Sequence, residues 1–124
     1  LTALRIADKV DRLNPLGVIS GGAYAADLRV PLYDVTHPLG YGSTSEESSN
    51  RMKSGYDALF RVLEWVALLP SDEARQLIVK EDLRAYIDFV RALGVHLARE
   101  CGVPNIVEHD IKKALGPYYE TYAV

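Results

Sequence analysis

Several features common in secreted and membrane proteins are scarce in this sequence of 124 residues. There is one cysteine, Cys101, so no disulfide can form within the chain. No apolar run approaches the roughly 20 residues that a helix needs to cross a bilayer. The first residues, LTALRIADKVDR, are charged and helical in pattern, unlike a signal peptide. We therefore expect neither a membrane span nor an export signal, and by default a cytoplasmic protein.

Sequence motifs of catalysis and metal binding are also missing. His37, His96 and His109 are too scattered to form a metal site, and there is no phosphate-binding loop or serine nucleophile elbow. Cys101 is predicted near the end of a helix, where the negative dipole disfavours a thiolate. The sequence thus predicts no catalytic residue, no metal site, no cofactor and no enzyme activity.

Thermolabile residues are few. The chain has one methionine, one glutamine and three asparagines, and arginine outnumbers lysine nine to five. Such a composition is typical of proteins from hot environments, although chance in a short chain would explain it equally well. The formal net charge is −3, so any nucleic-acid binding has to depend on local charge.

Apolar residues recur at helical spacing in several parts of the chain, which predicts an all-α bundle of about four helices. A short helix is expected over residues 2–13. The central helix is expected from Ser45 to Leu69, with a capping box formed by Thr44 and Glu47. Two more regions complete the expected bundle, from Ser71 to Gly102 with a restart near Val79, and from Asn105 to Gly116 with a second cap-and-return pattern.

Residues 14–44 show no sustained period but contain many apolar side chains. Three of the six prolines and five of the nine glycines lie in this segment, which is typical of loop or extended chain. We interpret residues 1–44 as an N-terminal helix with an irregular arm, and residues 45–124 as the bundle. The arm either finds its apolar partners on neighbouring subunits or folds over its own core.

Two surface features raise the question of partners. On the first helix, Arg5, Lys9 and Arg12 share one face, which is either an ordinary solvated surface or a ridge that follows phosphates. The aromatic tail, YYETYAV, either caps the bundle or packs on a partner, because an exposed cluster of tyrosines would be unusual.

The layout resembles the major capsid proteins of filamentous and rod-shaped archaeal viruses with linear double-stranded DNA. The resemblance spans most of the chain and rests on local similarities in order along it. These are Leu13-Asn14-Pro15-Leu16 in the N-terminal helical arm, the irregular apolar segment, Ser54-Gly55-Tyr56 opening a long helix, Leu83-Arg84-Ala85-Tyr86 in a later helix, and Gly116-Pro117-Tyr118 near the end.

This resemblance implies a virion protein whose arm wraps duplex DNA held in A form, and whose subunits pair and stack into a helical filament. The positions it implies for contacts to the DNA backbone are Arg5, Lys9, Arg12, Arg29, Arg51 and Lys53. Contacts would go to phosphates without reading bases. Over residues 1–31 the chain carries a charge of only +1, because three acidic residues alternate with the four basic ones, so many linked subunits or a second, more basic capsid subunit would be needed.

Two alternatives remain open at this point. A small α-helical adaptor subunit of a larger ribonucleoprotein, similar to a CRISPR effector complex, would also be a helical bundle without catalytic residues. A ligand-sensing regulatory bundle would need a pocket lined by the tyrosines.

Overall fold

The computed structural model describes residues 2–18, 54–102 and 104–124, and this part of the chain is all-α. Six α-helices and one 3-10 turn follow in order: α1 (Thr2–Asp11), α2 (Gly55–Leu68), α3 (Asp72–Arg75), α4 (Lys80–Cys101), α5 (Val107–Leu115), the 3-10 turn (Gly116–Tyr118) and α6 (Tyr119–Tyr122). Four of the helices, α1, α2, α4 and α5, have nine residues or more. The predicted all-α class is therefore confirmed.

A single apolar cluster joins α2, α4 and α5. Its fully buried members include Phe60 and Leu63 from α2, Ile87 from α4, and Ile111 and Leu115 from α5. Each such side chain contributes roughly 1.5–3 kcal/mol before the loss of chain entropy is subtracted. The apolar stripe predicted for the central helix is therefore the surface around which the other helices assemble.

Local signals place several helix ends where the sequence predicted them. The Ser71 hydroxyl accepts a hydrogen bond from the Ala74 amide at 3.2 Å and caps α3. Helix α3 then stops, and α4 begins after the extended residue Val79, which confirms the predicted restart. Gly102 ends α4 in the left-handed conformation, with φ of 65°, which favours glycine.

The predicted start of the central helix is wrong. Ser54 has an extended backbone and its hydroxyl accepts from the Asp57 amide at 3.1 Å, so Ser54 is the N-cap and α2 begins at Gly55. A helix continuous from Ser45 cannot pass through this residue. Gly55 is thus the first residue of the helix, where glycine costs less than in an interior. The proposed cap at Thr44 lies outside the described residues.

Helix α1 packs against the same core as the later helices. Ile6 and Val10 contact the core cluster, and Leu13 is buried within it. The Asn14 side-chain oxygen accepts from the Leu16 amide at 2.9 Å, which turns the chain after the helix. At Gly17 an added Cβ would lie 2.1 Å from the carbonyl oxygen of Arg12 and 3.3 Å from the Tyr86 ring. Glycine therefore allows this turn to lie close against α4.

The aromatic tail belongs to the bundle. Tyr122 and Ala123 are buried in the core cluster, and Tyr118 and Tyr119 are packed against it. Of the two alternatives considered for the tail, capping of the bundle is therefore the one that the fold adopts. Most of the predicted arm, residues 19–44, lies outside the described residues.

None of the helices in residues 2–18, 54–102 and 104–124 combines the length and the apolar content that crossing a membrane requires.

Candidate nucleic-acid interface

The described part of the predicted basic ridge lies where α1 meets α2. Lys9 is half-buried on α1, and Arg12 is exposed just after the helix ends. The guanidinium carbon of Arg12 is 5.7 Å from the ring centroid of Trp65 on α2. A cation over an indole face is attracted to the ring. The surface thus combines two basic side chains with an aromatic ring that positions one of them.

Four other residues were predicted to contact DNA, and their side chains lie outside the part of the chain that the structure describes. Arg5 lies on α1, but its side chain is outside the described residues. Arg29, Arg51 and Lys53 also lie outside them. The described candidate surface therefore consists of Lys9, Arg12 and Trp65.

Trp65 is the residue of this surface that sequence reasoning missed. It lies on α2, is half-buried and packs against the core cluster. In the sequence it falls beside the apolar stripe of the central helix, and nothing local pairs it with Arg12, which is 53 residues earlier. The signal that could have found it is that tryptophan is the aromatic residue best suited to hold a cation.

Several other arginines are engaged within the fold. Arg75 donates to the main-chain oxygens of Val66, Ala67 and Leu69 at 2.8–3.0 Å, where α2 ends. Its guanidinium carbon also lies 4.4 Å from the ring centroid of Tyr118. Arg75 thereby satisfies carbonyls that the helix cannot satisfy itself and fixes the C-terminal tail against them.

Arg91 on α4 and Glu108 on α5 form an ion pair between the two helices. Arg91 donates to both carboxylate oxygens of Glu108 at 2.8 and 2.9 Å, and to the main-chain oxygen of Ala123 at 2.8 Å. Tyr119 also donates to Glu108. The hydrogen bonds from Arg91 and Tyr119 lower the pKa of Glu108 to about 2.

The hydrogen-bond partners of Glu108 differ from those that the sequence predicted. The cap-and-return pattern at Asn105 placed the Glu108 side chain on the start of its own helix. The Asn105 side chain does accept from the Val107 amide at 3.2 Å, but Glu108 turns instead to Arg91 and Tyr119. A bidentate pair with arginine is a stronger interaction than a bond to a backbone amide.

Two carboxylates, those of Asp57 and Asp110, are fully buried. Asp57 on α2 accepts from Nε of Arg61 at 3.0 Å. Asp110 on α5 accepts from the Tyr56 hydroxyl at 2.6 Å, and no donor among the described residues reaches its Oδ1 atom. Burial raises the pKa of Asp110, while the hydrogen bond from Tyr56 acts in the opposite direction.

Two shallow surface grooves lie beside the C-terminal tail. One, of about 420 Å³, lies between the start of α4 and residues Thr121 and Tyr122. A second, of about 380 Å³, is lined by Arg75, Tyr118 and Tyr122 among others. The ligand-sensing alternative needs a pocket lined by tyrosines; Tyr122 lines both of these open grooves, and Tyr118 lines the second. Among the described residues, no three His, Cys, Asp or Glu side chains are grouped as they would be around a metal ion.

Comparisons of the chain with protein-family models, with curated proteins and with solved structures gave no match.

Proposed function

We propose that this chain is a structural subunit that coats double-stranded DNA as part of a helical filament, contacting phosphates and acting without catalysis. The observation that carries the proposal is the surface formed by Lys9, Arg12 and Trp65. Two basic side chains less than one helical turn apart can bind neighbouring phosphates of one strand. This arrangement provides charge without any base-reading geometry, so the binding it supports is independent of sequence.

The arginine–tryptophan contact favours this function over a simple solvated surface. Arginine at a protein surface ordinarily samples many rotamers, and fixing one costs free energy when a ligand binds. The ring of Trp65 restricts Arg12 before any phosphate arrives. The guanidinium is exposed, and its N–H groups have a geometry that suits the oxygens of a phosphate.

The net charge of −3 requires that binding be collective. One subunit with two or three phosphate contacts binds weakly at physiological salt. Subunits that also contact each other along the duplex behave as a multivalent binder, whose affinity greatly exceeds that of one copy. A second, more basic subunit type in the filament would serve the same purpose.

The test is to mix the purified full chain with linear duplex DNA at low salt and to measure both complex formation and its size. We expect binding that is independent of base sequence, weakens steeply with added salt and yields filaments whose length follows the DNA. Lys9→Glu and Arg12→Glu should each weaken binding and reduce the dependence on salt. Trp65→Leu should weaken it less, because the charges remain.

Lys112→Glu is a matched control, because Lys112 also lies over an aromatic ring, 5.4 Å from the centroid of Tyr119, on a different surface. It changes the net charge by the same amount and should leave DNA binding nearly unchanged. Equal losses in Lys9→Glu and Lys112→Glu would show that only net charge matters and would contradict the proposed surface. A complex of fixed size, formed with RNA and insensitive to concentration, would instead support the adaptor hypothesis.

A further inference from the structure

The solvent-facing side of α4 carries apolar residues among its charged ones. Phe89 is 49% exposed, and the exposed Ala85 and Ala92 lie within about 60° of it around the helix. The opposite side of α4 packs into the core through residues such as Tyr86 and Val90. The helix therefore carries apolar residues on two sides, and only one of them is covered within the described chain.

The exposed side has the spacing of a helix-pairing seam. Six exposed residues alternate at intervals of three and four along α4: Asp82, Ala85, Phe89, Ala92, His96 and Arg99. This is the spacing at which one helix meets a second in a two-stranded coiled coil. Two of the central positions are alanine, seven residues apart. Small side chains at that interval allow two helix axes to approach closely, toward the short end of the usual 8–10 Å.

The six seam residues are complementary to themselves only when a second copy runs in the opposite direction. About the midpoint between Val90 and Arg91, Phe89 lies across from Ala92 of the other copy, Ala85 from His96, and Asp82 from Arg99. Each layer thus joins a large side chain to a small one or an acid to a base. In the parallel arrangement every residue would meet its own copy, including Asp82 with Asp82 and Arg99 with Arg99, and like charges would repel.

From this complementarity we infer that α4 pairs with α4 of a second copy of this chain, antiparallel and related by a two-fold axis between Val90 and Arg91. The inference rests on the self-assembly part of the proposed function and names the surface that would carry it. Asp88 flanks the seam and is held by Arg84 and Arg91 of its own helix, at 3.4 and 3.1 Å. This side of the seam is therefore already neutralised within each copy.

The contact is small. One helix face covers less than the roughly 800 Å² per partner of a standard stable interface. Pairing between two free chains should therefore be weak and depend on concentration, and it should strengthen when both copies are held on one duplex.

Single cysteines report both the pairing and its direction. In a Cys101→Ser background, we would prepare Ala85→Cys and His96→Cys chains and oxidise them separately and as a mixture, at about 100 µM because a contact of this size is weak. In the antiparallel pair these two positions face each other, whereas the two copies of position 85 are about 16 Å apart along the axis, too far for a disulfide. We expect a cross-linked dimer in the mixture and little in either chain alone.

Two further variants test whether the apolar seam holds the pair together. Phe89→Glu places a charge at the central layer and should weaken dimerisation about tenfold or more, measured by analytical ultracentrifugation. Leu77→Glu is the matched control, since Leu77 is also an exposed apolar residue, 59% exposed, but lies outside α4. It should leave dimerisation unchanged. Circular dichroism of both variants checks that the helices are retained.

Each outcome distinguishes the pairing from the proposed coat. Cross-linking of Ala85→Cys with itself would overturn the antiparallel register. A chain that stays monomeric and forms no cross-link, because its own residues 19–53 or another protein cover α4, would overturn the pairing. Filaments on DNA that persist in Phe89→Glu would also overturn it, while leaving the coat function intact. A dimer with the expected cross-link that forms no filament on DNA would support the pairing and contradict the coat.

Discussion

The hydroxyl of Tyr56 on α2 donates a 2.6 Å hydrogen bond to the carboxylate of Asp110 on α5, and both side chains are buried. The two residues are 54 positions apart in the chain. A buried carboxylate costs free energy unless it is hydrogen-bonded. This bond therefore ties together α2 and α5, two of the helices that share the core, and it makes their packing sensitive to the protonation of a single acid.

Replacing Tyr56 with phenylalanine tests the value of this bond. The ring would keep its place beside Phe60, 4.7 Å away between centroids, but Asp110 would lose its hydrogen-bond donor. We expect the free energy of unfolding to fall by about 1–3 kcal/mol, as is usual when a buried acceptor loses its partner. Urea denaturation of both proteins measures the change. A loss below the error of the measurement would show that the bond does not contribute to stability.

The raised pKa of Asp110 predicts a specific dependence of stability on pH. The folded protein holds the proton of Asp110 more tightly than the unfolded chain, whose carboxyl has the ordinary pKa of 3.8. The contribution of Asp110 is therefore fully present below pH 3.8 and declines as the pH rises through the folded-state value. We expect the stability of the wild type relative to Asp110→Asn to fall over this range. A difference that grows with pH would contradict the assignment.

Glu108 should give the opposite dependence of stability on pH. Its pKa is lowered to about 2 from the ordinary 4.5, so its contribution is present above pH 4.5 and is lost as the pH falls toward 2. The side chain is 43% exposed, so solvent screening keeps the contribution modest, below about 1 kcal/mol. In denaturation curves from pH 2 to 6, Glu108→Gln should remove this part of the acid dependence. If Glu108→Gln loses as much stability as the wild type between pH 6 and pH 2, the pair with Arg91 does not stabilise the fold.

Gly94 on α4 lies directly against Val107 on α5. A Cβ added there would lie 2.6–2.9 Å from side-chain atoms of Val107, which include its Cβ and so cannot move away freely. We expect Gly94→Ala to destabilise the protein by about 1–3 kcal/mol through overpacking, despite the higher helix propensity of alanine.

The double variant Gly94→Ala with Val107→Ala provides the control for this prediction. If crowding is the cause, the second substitution should recover part of the loss, and the two effects should not be additive. Additive losses would show that the destabilisation arises elsewhere.

Helix ends that depend on residues close together in the chain could be predicted from the sequence. The cap at Ser71, the restart at Val79 and the stop at Gly102 each depend on side chains or dihedral angles within a few residues. The start of α2 was predicted too early because the pattern from Thr44 to Glu47 is also a good local cap. Local sequence alone does not decide between Thr44 and Ser54 as the N-cap. Ser54 lies next to the residues of α2 that the core buries.

Features that depend on distant partners could not be predicted. The sequence pattern predicted that Glu108 would cap the start of its own helix. In the folded chain it binds Arg91 and Tyr119 instead, and these residues are not its neighbours in sequence. Likewise, nothing near Asp110 in the sequence indicates that it is buried against Tyr56. At the candidate interface, helical spacing selected Lys9 and Arg12, whereas the contact of Arg12 with Trp65 depends on how the folded chain packs.

The most direct test of the central claim is electron microscopy of the full chain mixed with linear duplex DNA at low salt. If the chain coats DNA, the images will show regular filaments whose length scales with the DNA, which become fewer in Lys9→Glu and which disappear when salt is added. Bare DNA beside discrete particles of constant size, with no filaments at any protein concentration, would contradict the account.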